Sequence, residues 1–298
     1  MAGRKQATIN CLNDLIGPRT GQWLRALRPG LPPIMVEDPR WFSYREAESG
    51  VGVGYRARMD DGFLHAFSLG QPSPHPWVVA LSEGRLRPTL GAVREVLSSY
   101  YDLVRPTDVA SWLDVDPAAC PEWRGLPPTA AVLPWSLVSA AEAQAKAELR
   151  AARERRGYRL DTSTPMGSPS FGPMAEVQID AEARKLVALA DRLAREPIDP
   201  SRLDYDLGAT VLLDGERIRW FGNAGRHRIA VMRARGAAQI DLAVRALVRR
   251  EDVDHWPQVA NGTISRSAAL AVFDRVMEGR APALAQRWIE SLDAFASE

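Results

Sequence analysis

The sequence feature that most constrains the fold is a strand pattern, a glycine-rich turn and a helix pattern that follow one another in the second half of the chain. Positions 220–230 read WFGNAGRHRIA. Small residues at positions 222, 224 and 225 allow a ligand to approach the backbone. The first amides of a helix have no intrahelical partners and lie at the positive end of the helix dipole. The segment therefore predicts a strand–turn–helix unit with an anion site where the helix starts.

Cationic side chains in the first turn of this helix strengthen that prediction. A guanidinium such as that of Arg228 can hold two phosphate oxygens at once, and His227 can donate a hydrogen bond or relay a proton. The other interpretation is a surface helix with a solvated basic start. The candidate phosphate-binding residues are Gly222, Asn223, Gly225, Arg226, His227 and Arg228.

The net charge and the length of the chain limit the classes of protein to which it can belong. The chain has 298 residues, with 38 Lys plus Arg against 37 Asp plus Glu, which gives a formal net charge of +1. Proteins that bind nucleic-acid phosphates usually carry an excess of Lys and Arg over Asp and Glu, so nucleic acid is not the expected partner. Hydrophobic residues make up 46% and charged residues 25%, as in ordinary globular proteins. The length fits one large domain or two modest ones.

The cysteines and the hydropathy pattern exclude several other classes. Cys11 and Cys120 cannot form a disulfide framework or a cysteine-rich metal site. The N-terminal residues lack the apolar run of a secretory signal, and no stretch approaches the roughly 20 apolar residues that span a bilayer. The sequence therefore predicts a cytoplasmic protein without a membrane partner.

Local patterns predict an α+β protein. Strands are expected at 55–58, 63–67, 77–81 and 240–248, and a hairpin at 209–213 and 217–221 around the Asp214-Gly215 turn. Apolar periodicity, caps and helix-favouring composition predict the helices. They are expected at 89–104, 108–113, 136–157, 180–195, 224–235, 265–278 and 282–295.

The distribution of prolines, glycines and serines indicates three parts. Residues 1–135 form an α+β region of unknown role. Residues 136–170 form an exposed helix, for which Gly157 supplies the C-terminal stop, and a loop rich in Ser, Pro and Gly. Residues 171–298 hold the anion motif and the closing helices.

From about residue 182 to 256 the sequence resembles the ParB/sulfiredoxin-like superfamily. The resemblance rests on the 220–230 segment, on Gly236 at the end of its helix and on IDLAV at 240–244 as the next strand. It covers roughly a quarter of the chain. It implies a ParB/sulfiredoxin-like fold for 171–298 and a nucleotide-phosphate site at Gly225, Arg226, His227 and Arg228.

This sequence differs from the superfamily patterns at several points, and the differences exclude some of the functions that the resemblance implies. Sulfiredoxins carry a catalytic cysteine directly before the His-Arg pair, where this chain has Arg226. Partition proteins continue into a helix-turn-helix domain, which is not evident here. The remaining implication is a small-molecule kinase that uses ATP or another nucleotide with Mg²⁺.

Phosphoryl transfer needs a group that takes the proton from the acceptor hydroxyl. The region in which superfamily members place a functional acidic residue contains Glu182, so Glu182 and His227 are the candidate catalytic residues. Glu182 could instead complement the dipole of its helix. Further acidic candidates are Asp204, Asp206 and Asp214, although loop aspartates usually form turns, above all Asp214.

A Trp-Pro pair and two histidines also stand out in the sequence. Trp256, followed by Pro257, either closes the pocket or plugs the core. His65 and His75 have no cysteine or histidine partner at metal-ligand spacing, so zinc is not expected.

The sequence therefore predicts a nucleotide phosphate-binding protein that transfers phosphate to a small hydroxylated acceptor. A non-catalytic scaffold or regulatory module of the same fold is the first alternative. A DNA-associated ParB-like protein is the second.

Overall fold

The structure is a computed structural model that describes residues 34–41, 53–82, 88–164, 166–195 and 207–295. Three residues singled out from the sequence, Cys11, Asp204 and Asp206, lie outside the described residues.

A mixed seven-stranded sheet organises the molecule, in the order β1-β2-β7-β5-β6-β3-β4. The outer pair β1–β2, the central pair β7–β5 and the pair β6–β3 are parallel, and the other neighbours are antiparallel. The strands are β1 (Ile34–Val36), β2 (Val53–Arg58), β3 (Gly62–Leu64), β4 (Phe67–Ser68), β5 (Gly208–Asp214), β6 (Arg217–Gly222) and β7 (Gln239–Arg249).

The central strands follow from their sequences. Strand β5 is buried along nearly its whole length, as expected for an apolar strand with a neighbour on each side. It pairs with β6 from Ala209↔Gly222 to Asp214↔Arg217. Gly215, with φ +57°, makes the tight turn between them. The predicted hairpin and the predicted strand at 240–248 are confirmed.

Nine α-helices are described, together with short 3₁₀ turns. They are α1 (Pro76–Ser82), α2 (Leu90–Leu103), α3 (Val109–Leu113), α4 (Ala140–Tyr158), α5 (Glu176–Arg195), α6 (Arg226–Ala234), α7 (Pro257–Ala260), α8 (Arg266–Met277) and α9 (Gln286–Phe295).

Capping explains several helix starts. The Thr89 side chain accepts a hydrogen bond from the Ala92 amide at the start of α2. Ser139 and Glu142 form a capping box at the start of α4. No side chain of α4 is buried, which confirms the predicted exposed helix. The prediction that Gly157 ends this helix is wrong, because α4 continues to Tyr158 and a left-handed Arg159 follows.

Two strand predictions in the first half are also wrong. Residues 77–81 form helix α1 rather than a strand. Most of its side chains are buried, so the run shows no polar periodicity from which a helix could be recognised. The predicted strand at 63–67 is split into β3 and β4, because His65 adopts a left-handed backbone with φ +55° and turns the chain.

The sheet combines strands that are distant in sequence. Strand β2 is hydrogen-bonded to β7, and β3 is hydrogen-bonded to β6. The indole N–H of Trp220 in β6 also donates to the Arg58 carbonyl at the end of β2, at 2.8 Å. The mixed sheet and its helices agree with the predicted α+β class.

Buried side chains form two clusters. The larger contains Trp77, Tyr100, Leu186 and Trp220 from α1, α2, α5 and β6. The second contains Trp256, whose ring packs against Trp135 and Phe273 at centroid distances of 5.5 and 5.3 Å. Of the two interpretations of Trp256, the structure therefore supports the one in which it is a core residue.

Among the described helices, none is both long enough and apolar enough to cross a membrane.

Candidate functional site

The site is built around the junction of β6 and α6. The connecting turn is fixed to the neighbouring strand, because the amides of Asn223 and Ala224 both donate to the Gly208 carbonyl, at 2.8 and 3.1 Å. Gly225 then adopts a left-handed conformation with φ +68°, and α6 begins at the next residue. Glycine adopts this conformation without the strain that a Cβ atom would cause.

The start of α6 keeps backbone donors available. Gly225 provides no side-chain cap, and the amides of Arg226 and His227 have no acceptor among the residues that the structure describes. Unpaired amides at the positive end of a helix form an anion site.

Gly222 has a packing role. It is buried at the end of β6, and an added Cβ would lie 2.9 Å from a Leu64 methyl and 3.2 Å from an Ile229 methyl. Its small size thus allows α6 to pack closely on the sheet.

His227 is held between an acid and an aromatic ring. Its Nε2 atom forms a short contact with Oε1 of Glu182, on α5. Its ring stacks on Trp77 of α1, with a centroid distance of 4.2 Å and an interplanar angle of 13°. Two helices therefore fix the orientation of the imidazole.

The environment of Glu182 keeps its carboxyl ionised. Glu182 is only 5% exposed, and burial alone would raise its pKa. The hydrogen bond and charge of His227, together with Lys185, outweigh burial and lower the pKa below 4.5. A carboxylate only accepts hydrogen bonds, so Nε2 of His227 carries the proton of this contact. The second oxygen of Glu182 accepts from Lys185 Nζ at 3.3 Å.

Arg226 presents an unpaired cation. Within the described ranges its guanidinium forms neither a hydrogen bond nor an ion pair, although three of its neighbours carry charge or can ionise. Burial, followed by the charge of Arg150, lowers its pKa, and Glu182 and Tyr101 partly oppose this. An arginine stays protonated at neutral pH even so. A half-buried positive charge without a direct partner favours an anionic ligand.

Two cavities have Arg226 in their lining. The first, called here the His227 cavity, has a volume of about 400 Å³, and the second, the Trp135 cavity, about 430 Å³. Asn223 and Arg226 line both. The His227 cavity includes Trp77, Asn223, Gly225, Arg226, His227 and Arg228. The Trp135 cavity includes Trp112, Trp135, Phe221, Asn223, Arg226 and Ala246.

The structure brings most of the predicted site residues together. Of the candidate phosphate-binding residues, all except Gly222 line the His227 cavity. Glu182 contacts His227 without lining either cavity. Asp214 lies instead at the turn of the hairpin, where it accepts a hydrogen bond from Arg217 at 3.3 Å.

Sequence reasoning missed several residues of the His227 cavity. Trp77, on the helix taken for a strand, forms the stacking face for His227. Leu189 and Arg192 belong to a predicted helix but were not assigned to a site. Pro76 at the first position of α1 is a helix-start signal that could have located Trp77 on a helix.

No group of three His, Cys, Asp or Glu side chains in the described part of the chain is arranged to hold a metal ion. His65 and His75 do meet, with Nδ1 of His65 and Nε2 of His75 3.1 Å apart, but His75 is fully buried and His65 lines the Trp135 cavity.

Comparisons of the chain with protein-family models, with curated proteins and with solved structures give no match.

Proposed function

We propose that the His227 cavity binds the phosphates of a nucleoside triphosphate or diphosphate, and that the protein transfers a phosphoryl group to a small hydroxylated acceptor. The observation that carries this proposal is Arg226, a half-buried guanidinium without an ion-pair partner in the described residues, beside the open amides of α6. Phosphate oxygens would supply the missing acceptors for both.

The dimensions and lining of the cavity support a phosphate group. A volume of about 400 Å³ is within the usual range for small-molecule sites. Three cationic or ionisable side chains, Arg226, His227 and Arg228, line it from consecutive positions of one helix turn. The positive charge of these side chains covers an area about the size of one nucleotide's phosphates. Such a local concentration is compatible with a chain whose net charge is only +1.

We propose as well that residues 171–298 have a ParB/sulfiredoxin-like fold, and the order of elements supports this. Strand β6, the glycine turn, α6 and β7 follow one another as the resemblance requires. Helix α5, which precedes this unit, carries the acidic residue that contacts the motif histidine.

The bound triphosphate would supply the phosphoryl group that is transferred. The chain would supply proton transfer through His227, whose Nε2–H is held by Glu182 and whose Nδ1 has no partner in the described residues. An acceptor hydroxyl next to Nδ1 can give up its proton there as it attacks. Glu182 would then act as a positioning residue that stabilises the protonated imidazole, rather than as the base itself.

The described residues do not provide a magnesium site in this cavity. None of the described side chains that line it is a carboxylate. We therefore assign Mg²⁺ no ligand from this chain and no step in the reaction.

A nucleotide panel tests binding. Thermal unfolding is measured with ATP, ADP, CTP and GTP, each with Mg²⁺. At least one nucleotide should stabilise the wild-type protein, by about 2.7 kcal/mol when its concentration is 100 times Kd. Arg228→Ala should weaken that binding roughly 10- to 100-fold, the effect of losing charge-assisted hydrogen bonds. Arg266→Ala, at an exposed arginine paired with Asp254, is the matched control and should bind as wild type does. Absence of stabilisation by all four nucleotides would refute the proposal.

A second candidate function is a nucleotide-binding module without turnover. It is favoured by one observation: both carboxylate oxygens of Glu182 are already engaged, by His227 and Lys185. Nucleotide consumption with Glu182→Gln separates the two. The phosphotransferase predicts a large loss of turnover with nearly unchanged nucleotide affinity, whereas the module predicts no turnover in either protein.

A further inference from the structure

The Trp135 cavity is not used by the nucleotide-binding residues, except where it meets the His227 cavity. It has a volume of about 430 Å³, enough for a molecule with a single six-membered ring and its substituents. Asn223 and Arg226 line both cavities. A molecule in this cavity would therefore lie next to a phosphate bound at the start of α6.

Three aromatic rings of this cavity are fixed by their packing. Trp135 is wedged against Trp256 and Phe273, at centroid distances of 5.5 and 5.9 Å. The ring of Trp112 packs edge-on against Phe171 at 4.8 Å. Phe221 packs against Phe63 at 5.9 Å. Rings that are already held in place offer flat apolar surfaces without a further loss of side-chain entropy on binding.

Neutral hydrogen-bonding groups complement these rings. Nδ2 of Asn223 donates to the Thr210 hydroxyl at 2.7 Å, which leaves Oδ1 of Asn223 as an acceptor. The hydroxyl of Ser170 also lines the cavity and forms no side-chain hydrogen bond within the described residues. Such groups recognise hydroxyl groups of a ligand in both directions, as donors and as acceptors.

The charge of the cavity excludes one ligand class. Arg226 is the one permanently charged side chain among the described residues that line it, and none of these residues is acidic. A cationic ligand, such as an amine, would meet a like charge with no carboxylate to balance it.

We propose that the Trp135 cavity binds the acceptor, and that the acceptor is a ring compound that bears hydroxyl groups and no cationic group. The ring packs against Trp112, Trp135 and Phe221, and one hydroxyl extends past Asn223 and Arg226, which line both cavities, toward Nδ1 of His227 in the His227 cavity. This assignment as acceptor rests on the proposed phosphotransfer. The binding of a hydroxylated ring by this cavity does not depend on phosphotransfer, and it is measured without nucleotide.

Ring alcohols of two kinds share this chemistry, and the test separates them. Saturation-transfer NMR is recorded on the nucleotide-free protein with 4-hydroxybenzyl alcohol as an aromatic alcohol, and with D-glucose and myo-inositol as saturated polyols. Benzylamine serves as the charged comparison. At least one ring alcohol should show saturation transfer and benzylamine should show none.

A cavity-filling variant ties the signal to this site. Ala246→Phe places a ring in the cavity from strand β7, and it should reduce the ring-alcohol signal at least tenfold. Its Mg·ATP affinity should stay within twofold of wild type, because Ala246 does not line the His227 cavity. Ala118→Phe makes the same change at an exposed alanine outside both cavities and should leave both signals unchanged.

The outcomes distinguish the two proposals. Absence of ring-alcohol binding, or binding that survives in Ala246→Phe, overturns the inference even if nucleotide binds. Ring-alcohol binding without nucleotide binding overturns the proposed function and the role as acceptor, but leaves the ligand class of this cavity supported.

Discussion

At the scale of single residues, Arg226 is a half-buried cation without a hydrogen-bond or ion-pair partner among the described residues, and burial lowers its pKa. Protein interiors rarely keep such a charge, because removing it from water costs several kcal/mol. Nearby Glu182 offsets part of this cost through space, without a hydrogen bond to Arg226. The position is therefore explained better by ligand binding than by stability of the fold.

Replacing Arg226 should stabilise the ligand-free protein. Arg226→Gln removes the half-buried, unpaired charge and keeps a polar side chain, so the free energy of unfolding in urea should rise by about 1 kcal/mol. Arg233→Gln is the matched control, since Arg233 is buried but paired with Asp60 at 2.6 Å, and its loss should destabilise the protein. A clear loss of stability in Arg226→Gln would show that Arg226 is a structural residue.

His75 should give stability a characteristic dependence on pH. It is fully buried, and the Trp77 amide donates to its Nδ1 at 3.2 Å. Burial, aided by the charges of Arg226 and His227, lowers its pKa from 6.5 to about 3. Below pH 6.5 the unfolded chain takes up the proton first, so stability is complete above pH 6.5 and falls as the pH drops toward 3, by about 1.4 kcal/mol per pH unit.

Urea unfolding between pH 7 and pH 4 measures this dependence. His75→Gln keeps an acceptor and a donor but cannot titrate, so its stability should fall less steeply than that of wild type over this range. His255→Gln, at an exposed histidine outside both cavities, should follow the wild-type profile. If the stability of wild type and of His75→Gln changed with pH in the same way, the conclusion that His75 is buried and neutral would be contradicted.

At the scale of elements, the sequence could predict the helices that have one polar face and the hairpin that has a turn signal. Helix α1 could not be predicted in this way, because burial on most sides removes the polar face that identifies a helix. For the site, the turn and the cations of α6 were predictable, since they lie within one short motif. The contacts of His227 with Glu182 and Trp77 join residues far apart in sequence, and no local pattern encodes them.

Two glycines should respond in opposite directions to the same change. Gly225 has a left-handed backbone, so Gly225→Ala should destabilise the protein by about 1–2 kcal/mol and disturb the start of α6. Gly157 lies in α4 with open space around it, so Gly157→Ala should stabilise by about 0.5 kcal/mol. Thermal unfolding of both variants measures this, and equal effects would contradict the described helix boundaries.

At the scale of the whole molecule, the sheet links both halves of the chain. The segment 171–298 supplies β5, β6 and β7, but the outer neighbours of β6 and β7 are β3 and β2. Sequence patterns could not reveal this pairing, because they indicate each strand and not its partner. The 171–298 segment was predicted from composition and resemblance alone.

A fragment tests how far the halves depend on each other. Residues 171–298 alone would expose apolar edges at β6 and β7, including Trp220, which is buried and bonded to Arg58. We expect this fragment to lack a cooperative thermal transition and to aggregate. Addition of the separately produced 1–170 fragment should restore a transition. A fragment 171–298 that unfolds cooperatively by itself would show that it is an independent domain.

If the start of α6 holds a nucleotide phosphate through Arg226, as we propose, the affinity for nucleotide depends on that side chain. Isothermal titration of Mg·ATP into wild type, Arg226→Gln and the exposed control Arg266→Gln tests it most directly. We expect saturable binding to wild type and the control, and at least tenfold weaker binding to an Arg226→Gln protein that remains folded. Equal affinity in all three proteins, or no binding to wild type, would contradict it.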